Sequence, residues 1–182
     1  FHILFEKLNT PIGVVPSLHC ICSLLQYTKI PQEYEVDFIS FLLAFFVNSR
    51  DLVLLKSVLS TLNFFIDVIL PRVGNIEEFI SNLVTLRSHP SLRENVYGLL
   101  NNICEIIQKI PLPLLKMVVP FVIQDLEEAR GFLILQISLF ADVLMTNYPP
   151  LIKVLLPSLL GVLLMAPYTA PDILLHDHPA IS

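Results

Sequence analysis

The sequence predicts an all-α protein, and three observations carry that expectation. Apolar residues recur at steps of three and four through most of the chain, the spacing of one helix face. Strict apolar–polar alternation is missing, and no Asn-Gly or Asp-Gly pair marks a β-hairpin. The third observation is a repeat. A shift of 37 residues lays Arg93 on Arg130, Leu100 on Ile137, Ile103 on Phe140 and Ile107 on Leu144. The same shift lays Pro113 on Pro150, Leu115 on Ile152, Lys116 on Lys153 and Pro120 on Pro157, so that PLLKMVVPFVI matches PLIKVLLPSLL. A helix–turn–helix period of about 40 residues marks an antiparallel α-solenoid of HEAT or armadillo type, here with about four to five helical pairs. A single hairpin cannot bury its apolar face alone, so neighbours stack into one core.

The elements follow in order. Phe1–Leu8 is a short apolar helix, broken by Pro11 and Gly13. Leu18–Tyr27 is the next helix, and Pro31 lies in the turn after it. Glu33–Val47 carries Val36, Ile39, Leu42, Leu43 and Phe46 on one face. Its first turn holds Glu33, Glu35 and Asp37, which suit the positive end of a helix dipole. Leu52–Leu70 reads as one long helix stopped by Pro71, and Gly74 and Asn75 introduce Ile76–Leu86. At His89–Cys104, Pro90 opens an amphipathic helix with Leu92, Val96, Leu99, Leu100, Ile103 and Ile107 on its apolar stripe. Leu112–Leu126, Glu127–Met145 and Leu151–Met165 complete the pattern. Residues 1–166 are thus expected to form the repeat domain, and 167–182, with Pro167, Pro171 and Pro179, an extended tail. Prolines 120 and 157 fall inside helices, where they bend a curved array.

Composition narrows the function classes. The 182 residues are 54% hydrophobic, with a mean hydropathy of +0.72, so a membrane protein has to be considered. A spanning helix needs roughly 20 mostly apolar residues. Leu52–Leu70 carries Lys56 and Asp67, Arg130 and Asp142 bound Phe132–Ala141, and Val154–Met165 is short and contains Pro157. No basic loops flank these runs and Trp is absent, so buried repeat helices are the expected source of the hydropathy and no membrane partner is expected. The net charge of −5 comes without a basic stripe, which argues against direct nucleic-acid binding. Cys20, Cys22 and Cys104 read as reduced thiols of an intracellular protein. The chain opens on Phe1 without a signal segment and is expected to be part of a longer protein.

The candidate chemistry is thin. His19, Cys20 and Cys22 form half of a zinc site at most, since a closed site takes four ligands. His176, Asp177 and His178 have no nucleophile near them in sequence, and a solvated terminus accounts for them. Asp125, Glu127 and Glu128 end one helix and charge the start of the next. The five glycines make no phosphate-binding loop. No enzyme activity, cofactor, metal or small-molecule substrate is expected. Six residues stay open as inter-repeat or partner contacts: His89, Arg93, Glu94, Arg130, Lys116 and Lys153. Arg93 and Arg130 recur in the repeat, as a polar ladder between neighbouring hairpins requires, although exposed charges at helix starts recur equally well. For Lys116 and Lys153 a solvated face is the favoured reading.

The run HPSLRENVYGLLNNIC, His89–Cys104, resembles a segment of the C-terminal HEAT domain of TATA-binding-protein-associated factor six, a subunit of general transcription factor TFIID. The matching positions are His89, Leu92, Arg93, Glu94, Leu99, Leu100, Ile103 and Cys104, and LIKVLLPSL at Leu151–Leu159 looks like a second family segment. The resemblance covers roughly residues 35–160. Pro90 stands where the family has an aromatic residue, and the family's long basic linkers are missing. The resemblance implies a non-enzymatic nuclear scaffold that binds other TFIID subunits in RNA polymerase II transcription initiation and associates with promoter DNA only indirectly. It also implies a histone fold elsewhere in the intact protein. A karyopherin-like or trafficking solenoid shares the repeat without the His89–Cys104 match.

Overall fold

The computed structural model describes residues 1–10, 12–107 and 111–165, and among these every regular element is a helix. The tail expected over 167–182, with His176, Asp177 and His178, lies outside the described residues. The chain divides into two compact units, one ending at residue 108 and the other starting at 109.

The first unit contains α1 (His2–Leu8), α2 (Val14–Leu25), α3 (Gln32–Asn48), α4 (Leu52–Phe64), the single turn α5 (Ile66–Ile69), α6 (Ile76–Leu86) and α7 (Arg93–Ile107). Short 3₁₀ turns at Leu70–Arg72 and Pro90–Leu92 follow α5 and lead into α7. The starts of α4 and α6 are fixed by side chains that take otherwise orphaned backbone donors. Asp51 accepts from the N–H groups of Val53 (2.9 Å) and Leu54 (3.2 Å), and Asn75 accepts from that of Glu78 (3.1 Å).

Helix α4 lies at the centre of this unit, touching α2, α3 and α7. It buries Leu55, Val58, Leu59 and Leu62, and the helices it touches bury Leu18 and Ile21 on α2, Leu42 on α3, and Val96, Leu99, Leu100 and Ile103 on α7. The helices between these meet through aromatic rings. Phe5 of α1 contacts Phe38 of α3 (centroids 5.5 Å apart), and Phe46 of α3 contacts Phe79 of α6 (5.0 Å). An ion pair of 2.7 Å ties Glu35 of α3 to Arg72.

Two expectations are corrected in this unit. The helix expected over Leu52–Leu70 breaks at Phe65, and the segments on either side are bent by 78°. No Gly or Pro marks the break; the Phe65 ring turns aside to meet the edge of Phe38 (6.2 Å), while Ile66, Ile69 and Leu70 remain buried. On α3, Val36 is 65% exposed and Phe38 takes the buried place expected for it.

The second unit contains α8 (Leu112–Glu128), α9 (Phe132–Asn147) and α10 (Ile152–Met165), with α8 touching both others. Here α9 starts five residues later than the expected Glu127. Glu127 and Glu128 finish α8, and Gly131 turns the chain at φ +58°, ψ −136°, a conformation that suits glycine. Helices α8 and α10 run through Pro120 and Pro157, both exposed, as are Lys116 and Lys153 one turn earlier, whose carbonyls lose their helical donor to the prolines.

Burial follows the repeat at some positions and not at others: Leu115 is buried while its equivalent Ile152 is 43% exposed. Leu100, Ile103 and Cys104 on α7 are buried, as are their equivalents Ile137, Phe140 and Ala141 on α9. Val118 and Val122 on α8 correspond to Leu155 and Leu159 on α10, again all buried. Among the described residues no single helix is long and apolar enough to cross a membrane. The bent pair Leu52–Phe64 and Ile66–Arg72 qualifies jointly by length and composition.

Candidate functional site

The residues singled out by sequence fall into two groups. His89, Arg93 and Glu94 sit at the start of α7, and Lys116, Arg130 and Lys153 belong to the second unit. His89 is exposed and starts the 3₁₀ turn before α7; its carbonyl accepts from the Leu92 N–H at 3.0 Å. Glu94 is exposed in the first turn of α7, and Lys116 and Lys153 are exposed on α8 and α10. The two arginines share a local role. Arg93 Nε donates to the carbonyl of Arg87, which caps α6 (3.2 Å), and Arg130 Nη1 donates to those of Ala129 (2.6 Å) and Glu127 (3.3 Å) at the end of α8. Each guanidinium therefore sits at the negative end of the preceding helix, where a cation is favoured.

Polar rungs between helices come from other residues. Cys22 on α2 donates to Thr61 Oγ1 on α4 (3.4 Å). Asn95 and Asn102 on α7 donate to Ser60 Oγ (3.0 Å) and Asn63 Oδ1 (2.9 Å) on α4. The paired residues are 39, 35 and 39 positions apart, close to the 37-residue period. Neither Ser60, Thr61 nor Asn63 stood out in the sequence, because one polar residue on an apolar helix carries no mark of what faces it.

Two of the thiols, Cys22 and Cys104, are poor nucleophiles. Burial pushes Cys104 up to about 12. Burial also raises Cys22; Thr61 offers its thiolate little, because the Thr61 hydroxyl already donates to the Ser57 carbonyl (2.8 Å). Cys20 and His19 are exposed on α2. Among the described residues no group of three or more His, Cys, Asp or Glu side chains is placed to hold a metal ion.

The cavity that stands out lies between α1 and α3, with a volume of about 250 Å³. Helix α1 supplies His2, Phe5 and Glu6, spaced i, i+3, i+4, and α3 supplies Tyr34, Asp37 and Phe41, spaced i, i+3, i+7. Leu8 closes the apolar side. Phe5 stacks on Tyr34 with centroids 4.8 Å apart, and His2 reaches both Glu6 (3.4 Å) and the Tyr34 hydroxyl (3.4 Å). The helical spacing was readable within each helix, but the juxtaposition of the two faces was not.

The second unit also exposes apolar side chains in two helical rows, Phe132, Leu135 and Leu139 on α9 and Ile152, Leu156 and Leu160 on α10. Comparison of the chain with protein-family models, with characterised proteins and with solved structures finds no match.

Proposed function

We propose that the chain is a protein-binding module of stacked helical hairpins, HEAT-like within each unit. The observation that carries this reading is that α4 bonds to α2 and, counting past the single turn α5, to α7, its alternate neighbours among the full helices, through residues 35 and 39 positions apart. Alternate-helix contact at the repeat period is how stacked hairpins build a continuous core. The matched burial of Leu100, Ile103 and Cys104 with Ile137, Phe140 and Ala141, and of Val118 and Val122 with Leu155 and Leu159, supports the same register. The chemistry supports binding rather than turnover: the buried thiols are held protonated and the cavity is small and open to solvent.

The narrower reading is a nuclear scaffold within TFIID, and its support is the resemblance of His89–Cys104. Of the matched positions, Leu92, Leu99, Leu100, Ile103 and Cys104 are buried, so packing selects them whatever the partner. The partner-specific content therefore rests on His89, Arg93 and Glu94. Affinity purification of the tagged chain tests it. TFIID subunits should co-purify, and a His89→Ala/Glu94→Ala double variant should retain them less. Recovery of transport receptors and cargo without TFIID subunits would overturn this reading in favour of a trafficking solenoid.

A further inference from the structure

The cavity between α1 and α3 combines three aromatic rings with two carboxylates. Phe5, Tyr34 and Phe41 give apolar walls, with the Phe5 and Tyr34 faces stacked on each other, and the exposed Glu6 and Asp37 place negative charge beside them. Its volume of about 250 Å³ falls below the roughly 300–1,000 Å³ of pockets that hold cofactors or drug-sized ligands. The space suits one long side chain. The carboxylates repel an acidic or phosphorylated ligand, and a purely apolar one would leave Asp37 unanswered and Glu6 with only its long contact to His2. A cation on an aliphatic stem answers both features: its methylenes lie along the rings and its charge meets the carboxylates.

We propose that this cavity binds the ammonium side chain of a lysine presented by a partner peptide. The inference rests on the reading of the chain as a protein-binding module, and it names the chemistry of one contact. His2 occupies part of the rim, with its contacts to Glu6 and Tyr34 at the long end of hydrogen-bond range. An incoming ammonium can therefore take over Glu6 without breaking a strong interaction.

The probe is a blocked pentapeptide with a central lysine flanked by glycines, compared with the same peptide carrying norleucine, which keeps the stem and removes the charge. Aromatic resonances of Phe5, Tyr34 and Phe41 are followed by NMR in the full chain. The lysine peptide should shift them saturably with a dissociation constant of about 1 to 10 mM, as a single exposed side-chain contact allows. The norleucine peptide should shift them little. A Glu6→Gln/Asp37→Asn variant should bind lysine about fivefold or more weakly, and so should the unaltered chain in about 0.5 M salt. Both residues are exposed, so the variant keeps its fold, checked by unchanged resonances elsewhere. Equal shifts from norleucine, no saturable shift below about 20 mM, or unchanged binding by the variant would each overturn the proposal. Those failures leave the stacked-hairpin reading intact, because it is tested by substitutions on helices away from this cavity.

Discussion

Asn63 and Asn102 are two half-buried amides joined by a 2.9 Å hydrogen bond between α4 and α7. A neutral bond of this kind contributes about 0.5–1.5 kcal/mol net. Urea unfolding of Asn63→Ala, Asn102→Ala and the double variant should therefore show a coupling of about that size. A coupling of zero would mean that this rung adds nothing to the stack. Cys104 gives a residue-scale pH dependence. Burial favours its neutral thiol and pushes it up to about 12, against 9.0 for an unburied thiol. The folded state then holds the proton more tightly than the unfolded state, so this contribution is fully present below about pH 9 and is lost as pH rises from about 9 to about 12. Cys104→Val should flatten the stability profile across that window. In alkylation at neutral pH, exposed Cys20 should react well before Cys104, which becomes reactive on unfolding.

At the scale of the element, most helices were legible in the sequence because a 3.6-residue period with a cap leaves few alternatives. Ile76–Leu86 agrees at both ends, with Asn75 as its cap. What was illegible was the break at Phe65, where the apolar phase runs on unbroken and the ring meets Phe38, 27 positions earlier, a contact that no local signal announces. The lysine-sized cavity was hidden for the same reason. Its six helix-face residues come from two helices, and their meeting depends on tertiary structure. Local signals that were legible can be tested individually. Asp51→Ala removes both bonds at the start of α4 and should cost about 0.5–2 kcal/mol in chemical unfolding. Gly131→Ala adds a methyl that meets nothing within 4 Å, so any loss comes from the backbone, at about 1–3 kcal/mol. A neutral Gly131→Ala would show that the turn before α9 relaxes out of its positive φ.

For the whole chain, the question is whether the 37-residue repeat describes structure or only wording. If it describes structure, equivalent positions have equivalent environments, and equal substitutions have effects of equal rank. Leu100 and Ile137 are 3% and 0% exposed, and each lies mid-helix on a buried stripe. Leu100→Asp and Ile137→Asp each place a carboxylate where water cannot reach it, and an unpaired buried charge is the costliest change a core can receive. Each should lose its unit's cooperative unfolding transition, followed by circular dichroism during thermal melting. Lys116 and Lys153 are the opposite pair, repeated and exposed, and surface changes of this kind usually fall within about 0.5 kcal/mol. Lys116→Glu and Lys153→Glu should therefore melt almost as the parent does. The four variants separate two accounts that the sequence alone leaves joined. Repetition of Lys116 at Lys153 has no support from packing, whereas repetition of Leu100 at Ile137 does. A tolerant Ile137→Asp beside a ruinous Leu100→Asp would mean that α9 does not occupy in its unit the place that α7 occupies in the other. The stacked-hairpin reading would then hold for the first unit alone.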